Sequence, residues 1–130
     1  MTPLKMQSML VARRVYYVEI SYGADGTPSA SPEALEVASG GKVIWRGPEG
    51  DTRKFKIDFP DSNPSGNGGI FDDESLEVDG TSLLLSSRQT AEMNARSVSA
   101  VTNFNYFIEA PNPNVPGAMI RADPIIIIRP

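Results

Sequence analysis

The side-chain period that recurs along this chain is two. Phe55, Ile57 and Phe59 alternate with Lys54, Lys56 and Asp58, the clearest half-buried strand pattern in the sequence. Successive side chains of a strand point to opposite faces, so such a run offers one apolar face to a core and one polar face to water. The segment Val15 to Tyr22 is dense in β-branched and aromatic residues and is followed by the turn formers Gly23, Asp25-Gly26 and Pro28. Tyr16, Val18, Ile20 and Tyr22 share the face expected to meet the core, and Val15, Tyr17, Glu19 and Ser21 share the other. Phe104, Tyr106 and Ile108 alternate with Asn105, Phe107 and Glu109, which predicts a strand from about 101 to 110.

Eleven prolines and eleven glycines punctuate the 130 residues, so the strands are short and joined by turns. Ala34 to Val37 and Lys42 to Arg46 read as two strands separated by Gly40-Gly41 and adjacent in one sheet edge. Residues 60 to 80 are rich in Asp, Ser, Asn, Pro and Gly and read as a long excursion or functional loop. Thr81 to Ser87 carries three leucines in a row and suits a buried strand. Ile125 to Ile128 suits a central strand buried on both faces. Gln89 to Arg96 is the best place for a helical turn or two. The expected fold is an all-β, Greek-key sandwich with at most one short helix near 89–96. An N-terminal arm, residues 1–14, precedes one domain over 15–130. The arm lacks a period and is placed to lie on the domain or reach a neighbour.

Composition removes whole classes of function. With no cysteine and no histidine, the chain has neither disulfides nor thiol catalysis, and the common nucleophile–base pairs fail. A net charge of −4 repels phosphate backbones and anionic headgroups, so neither nucleic acid nor a membrane is an expected partner. The basic spots at Arg13-Arg14 and at Arg53-Lys54 with Lys56 have acids nearby and read as solvated faces. The stretch from Met6 to Ala12 runs into Arg13-Arg14 where a signal peptide needs a cleavage site, so a soluble, cytoplasmic protein is expected.

Three segments taken in order carry a family likeness: Leu35-Glu36-Val37 followed by Gly40-Gly41-Lys42-Val43-Ile44-Trp45; the Phe55-Lys56-Ile57 strand; and Phe104-Asn105-Tyr106-Phe107-Ile108 ahead of a Pro/Gly loop and a closing strand. Over residues 15–130 this order resembles a cupredoxin domain. The resemblance implies copper ligands near Arg53, at Ile108 and within Asn112 to Pro116, and none of these is a His or Cys. A type 1 site needs a thiolate and two imidazoles, so copper is excluded on chemistry. Met119 stands near the place of the axial thioether and reads as core filler.

Other constellations are weaker. Asp61, Asn63 and Ser65 alternate, with Gly66 sixth and Asp72 eleven residues after Asp61, a partial match to a calcium loop. No amphipathic helices flank it. Asp72, Asp73, Glu74, Glu77 and Asp79 form an acidic run whose expected role is solvation. Gly66-Asn67-Gly68-Gly69 lacks the Lys-Ser/Thr of a phosphate loop. Trp45 and the tyrosines of the first strand suit core packing better than an exposed stacking surface. No cofactor and no catalytic residue is expected. The expected function is a non-catalytic binding or assembly module acting through protein contacts at an edge strand or the arm, with a calcium or small-ligand domain using loop 61–79 as the alternative.

Overall fold

A computed structural model of the protein describes residues 14–61, 64–65, 71–73, 76–78 and 85–130. The expected arm lies outside these except for Arg14. The described strands are β1 (Val15–Tyr22), β2 (Pro28–Ser31), β3 (Ala34–Ala38), β4 (Lys42–Arg46), β5 (Lys56–Asp58), β6 (Phe71–Asp73), β7 (Leu76–Val78), β8 (Leu85–Ser87), β9 (Thr90–Asn94), β10 (Thr102–Asn105), β11 (Phe107–Pro111), β12 (Met119–Ala122) and β13 (Ile125–Arg129). The protein is an all-β sandwich.

One layer is a five-stranded sheet in the order β2-β1-β4-β9-β6, with β1 and β4 parallel and the other neighbours antiparallel. The other layer contains two three-stranded ladders, β10-β13-β3 and β12-β11-β5. These share one register. Asn105 opposes Ile125, Tyr106 donates its N–H to the Pro124 carbonyl at 3.1 Å, and Ile108 opposes Ala122, so pairing runs through the break with no residue gained or lost. Pro124 has no N–H to return to Tyr106, and that missing bond is what divides one long hairpin into two ladders. The second layer is therefore β3 and β5 on either side of that hairpin, with β3 parallel to β13.

The core lies between the layers and contains Val18, Ile20, Val37, Val43, Trp45, Met93, Phe104, Tyr106, Ile108, Ile126 and Ile128. Tyr16 and Tyr22 pack on its margin, so the face expected for β1 is the one observed. Phe55 and Ile57 are buried, with Phe59 half-buried beside them, also as expected. Gly40 turns the chain with φ +80, and a β-carbon on Gly41 would lie 2.8 Å from the Tyr16 ring.

Four expectations need correction. Thr90–Asn94, within the stretch expected to be helical, is strand β9: Ala91 and Met93 face the core while Glu92 and Asn94 face outward, and no helix is present among the described residues. Good helix formers were overridden by a place between β4 and β6 in the ladder. β3 and β4 are not neighbours, because after Ser31 the chain crosses layers and β3 joins β13. Ile126 and Ile128 are fully buried, but Ile125 and Ile127 lie on the outer face and are half-buried, so β13 is covered on one face. Met119 is 48% exposed rather than core filler, because its neighbours in β12 alternate and its ladder partner Pro111 is also exposed.

The excursion at 60–80 contains β6 and β7, and β7 forms a hairpin with β8. Of the leucine run expected as a buried strand, only Leu85 falls within the described residues.

Candidate interaction edge

β1 carries the exposed feature with the clearest chemical meaning. Its pairing with β2 covers only Glu19 to Tyr22, opposite Ser31 to Pro28. The pairing with β4 covers the other side from Val15 to Glu19. Lys42 donates its N–H to the Arg14 carbonyl at 2.8 Å. N–H and C=O of one strand residue point the same way and alternate along the chain, so Arg14, Tyr16 and Val18 address β4. Val15 and Tyr17 therefore direct their backbone groups to the opposite side. Glu19 and Ser21 do the same and meet β2 there. Among the described residues no strand pairs with that edge at Val15 to Val18.

The side chains agree with the backbone. Val15 and Tyr17 are 46% and 44% exposed, on the outer face where alternation ordinarily places polar groups. Tyr17 opposes half-buried Ile44, and the Arg46 guanidinium lies 4.1 Å from the centre of the Tyr17 ring. Arg46 also pairs with the Glu19 carboxylate, from which Arg88 is 3.9 Å away. On the other flank Lys42 meets Glu92 at 3.4 Å. The result is an apolar strip between two ion pairs. Exposed edges are usually protected by charge or proline, and Val15-Tyr16-Tyr17-Val18 has neither.

At the far end of β1, Arg53 stacks over the Tyr22 ring at 4.1 Å and approaches Asp51 at 3.6 Å. Burial, then the Asp51 charge, push the Tyr22 hydroxyl up to about 12. Among the described residues that enclosed hydroxyl has no hydrogen-bond partner. Arg53 therefore serves this stack, Ile108 is fully buried, and Asn112 to Pro116 forms a turn closed by Asn112 and Ala118.

Of the calcium candidates, Asp61 is exposed, Asn63 lies outside the described residues, Ser65 bridges Ala95, and Asp72 opposes Ala91. The backbone positions opposite Ser65 and Asp72 are thus about 13 Å apart along a strand. Among the described residues no group of three or more His, Cys, Asp or Glu is placed to hold a metal. An open groove of about 390 Å³ beside Val98 and Phe104 has, among the described residues that line it, the single charged side chain of Arg96. No described helix is long and apolar enough to cross a membrane.

Neither a family model nor a curated protein matches the sequence. A solved structure with partial likeness is the cysteine protease inhibitor EhICP2 from Entamoeba histolytica, at 8% identity over 88% of this chain and 95% of that chain, with a TM-score of 0.42. A likeness at that score carries no inference about this chain.

The sequence placed Val15 and Tyr17 on the outer face but did not show that no described strand pairs with their edge. The available signal was two large apolar residues sharing a face with Glu19 and Ser21.

Proposed function

We propose that this chain is a non-catalytic, metal-free protein-binding module that receives a partner's strand along the edge of β1 at Val15 to Val18. Support comes from one observation: β2 stops pairing at Glu19 and leaves the outward backbone groups of Val15 and Tyr17 without a described strand partner. Main-chain hydrogen bonds would supply affinity there, and the strip formed by Val15, Tyr17 and Ile44 would supply selectivity. The same proposal takes the sandwich as cupredoxin-like with its copper ligands replaced at Arg53, Ile108 and the Asn112–Pro116 loop.

Amide hydrogen exchange in dilute solution tests it. The Tyr16 and Val18 amides, bonded to β4, are expected to exchange slowly, and the Tyr17 amide between them far faster. Equal protection of all three would mean that the chain already fills the edge itself, and the proposed function would be withdrawn.

A further inference from the structure

Resting on the strand-addition function above, we infer that the partner is a second copy of this chain, paired antiparallel through β1 about a two-fold axis at Tyr16. In that register Val15 opposes Tyr17 of the second copy, and Tyr17 opposes that copy's Val15. Both residues aim N–H and C=O at the shared edge, so each pair closes two backbone hydrogen bonds and the dyad closes four.

The fit is specific to this register. Moving by one residue would oppose backbone groups that address β4 on one copy. Moving toward the end of β1 would place Val15 opposite Glu19, whose edge β2 already occupies. Moving the other way would give up the Val15–Tyr17 contacts for pairing with Arg13. At the Tyr16 dyad a β-branched residue meets an aromatic one twice, a favourable cross-strand pair. The two exposed apolar side chains of each copy cover those of the other. Arg14 falls opposite Val18, so no like charges face each other in the ladder, and Glu19 and Lys42 are already held by Arg46 and Glu92. Apolar matching, hydrogen-bond symmetry and the absence of charge conflict point to the chain's own edge as the complement.

Sedimentation equilibrium from low micromolar to millimolar protein is expected to show a monomer–dimer equilibrium with a dissociation constant on the order of 100 µM, weak because so short a ladder buries little area. Val15→Pro removes an N–H that no described strand uses and places proline at the first residue of a strand, where folds accept it. Its melting temperature should stay close to that of the parent, while dimerisation weakens at least about tenfold. A dimer that Val15→Pro leaves intact overturns the inference. A monomer at every concentration overturns it too, yet leaves the strand-addition function standing if the Tyr17 amide exchanges rapidly. Should Val15→Pro fail to fold, cross-linking decides. The chain has no cysteine, so under mild oxidation a mixture of Val15→Cys and Tyr17→Cys chains should form disulfide dimers faster than either chain alone. Equal rates in all three samples would reject the register.

Discussion

Replacing Trp45 by alanine is expected to cost about 4 kcal/mol of folding stability, within the range for removing a fully buried large aromatic. Trp45 is 0% exposed and lies in β4, in the layer opposite Tyr106. Its Nε1–H donates to the Tyr106 hydroxyl at 3.1 Å, a side-chain bond that crosses the core. The two rings meet edge-on with centroids 5.8 Å apart, and Phe59 stacks on Tyr106 at 4.9 Å. Truncation at Trp45 therefore opens a cavity, removes one ring from a three-ring cluster and takes away the donor that orients the Tyr106 hydroxyl. Tyr106→Phe keeps the volume and leaves the indole N–H buried without its acceptor, which should cost about 1–3 kcal/mol. Urea unfolding followed by circular dichroism separates the two, with the midpoint falling further for Trp45→Ala than for Tyr106→Phe at a similar slope. A loss below 1 kcal/mol for Trp45→Ala would mean that this cluster does not tie the layers together.

The strand inventory was legible where period two was strong and local. β1, β5 and the β10–β11 run were readable from alternation and β4 as an apolar run, and the core faces expected for β1 and β5 are the ones observed. Pairing was far less legible, because it depends on contacts between segments distant in sequence. The Gly40-Gly41 turn looked like a hairpin connection, yet β3 and β4 lie in different layers and Tyr16 ties their junction by accepting the Ala38 N–H at 3.2 Å. β9 was misread because Ala, Glu and Met favour helix in isolation, while the ladder between β4 and β6 imposes a strand. The four isoleucines gave no period at all, and only the register of β13 showed which pair faces inward. The candidate edge was half legible. Val15 and Tyr17 were visible as apolar residues on an outward face, but where β2 stops pairing is a property of register that composition does not encode.

Alkaline pH should weaken the fold through Tyr106, and the sign follows from proton binding. Burial pushes the Tyr106 hydroxyl up from 10.0 to about 12, and the hydrogen bond from Trp45 offsets this only in part. Below the ordinary tyrosine value both folded and unfolded chains keep the proton, so this residue gives no pH dependence. Between pH 10 and 12 the unfolded chain has released it while the folded chain still holds it. The unfolded state then binds fewer protons, and stability falls as pH rises through that window, by on the order of 3 kcal/mol in total. Tyr22 acts in the same direction, its hydroxyl likewise pushed up to about 12. Lysines titrate over the same range, so Tyr106→Phe is the control that isolates the tyrosine. The stability advantage of the parent over Tyr106→Phe is expected to be largest at neutral pH and to shrink or reverse near pH 12. A gap that stays constant from neutral to alkaline pH would show that the buried hydroxyl ionises as readily in the folded protein as in the unfolded chain, and would contradict its enclosure between Trp45 and Phe59.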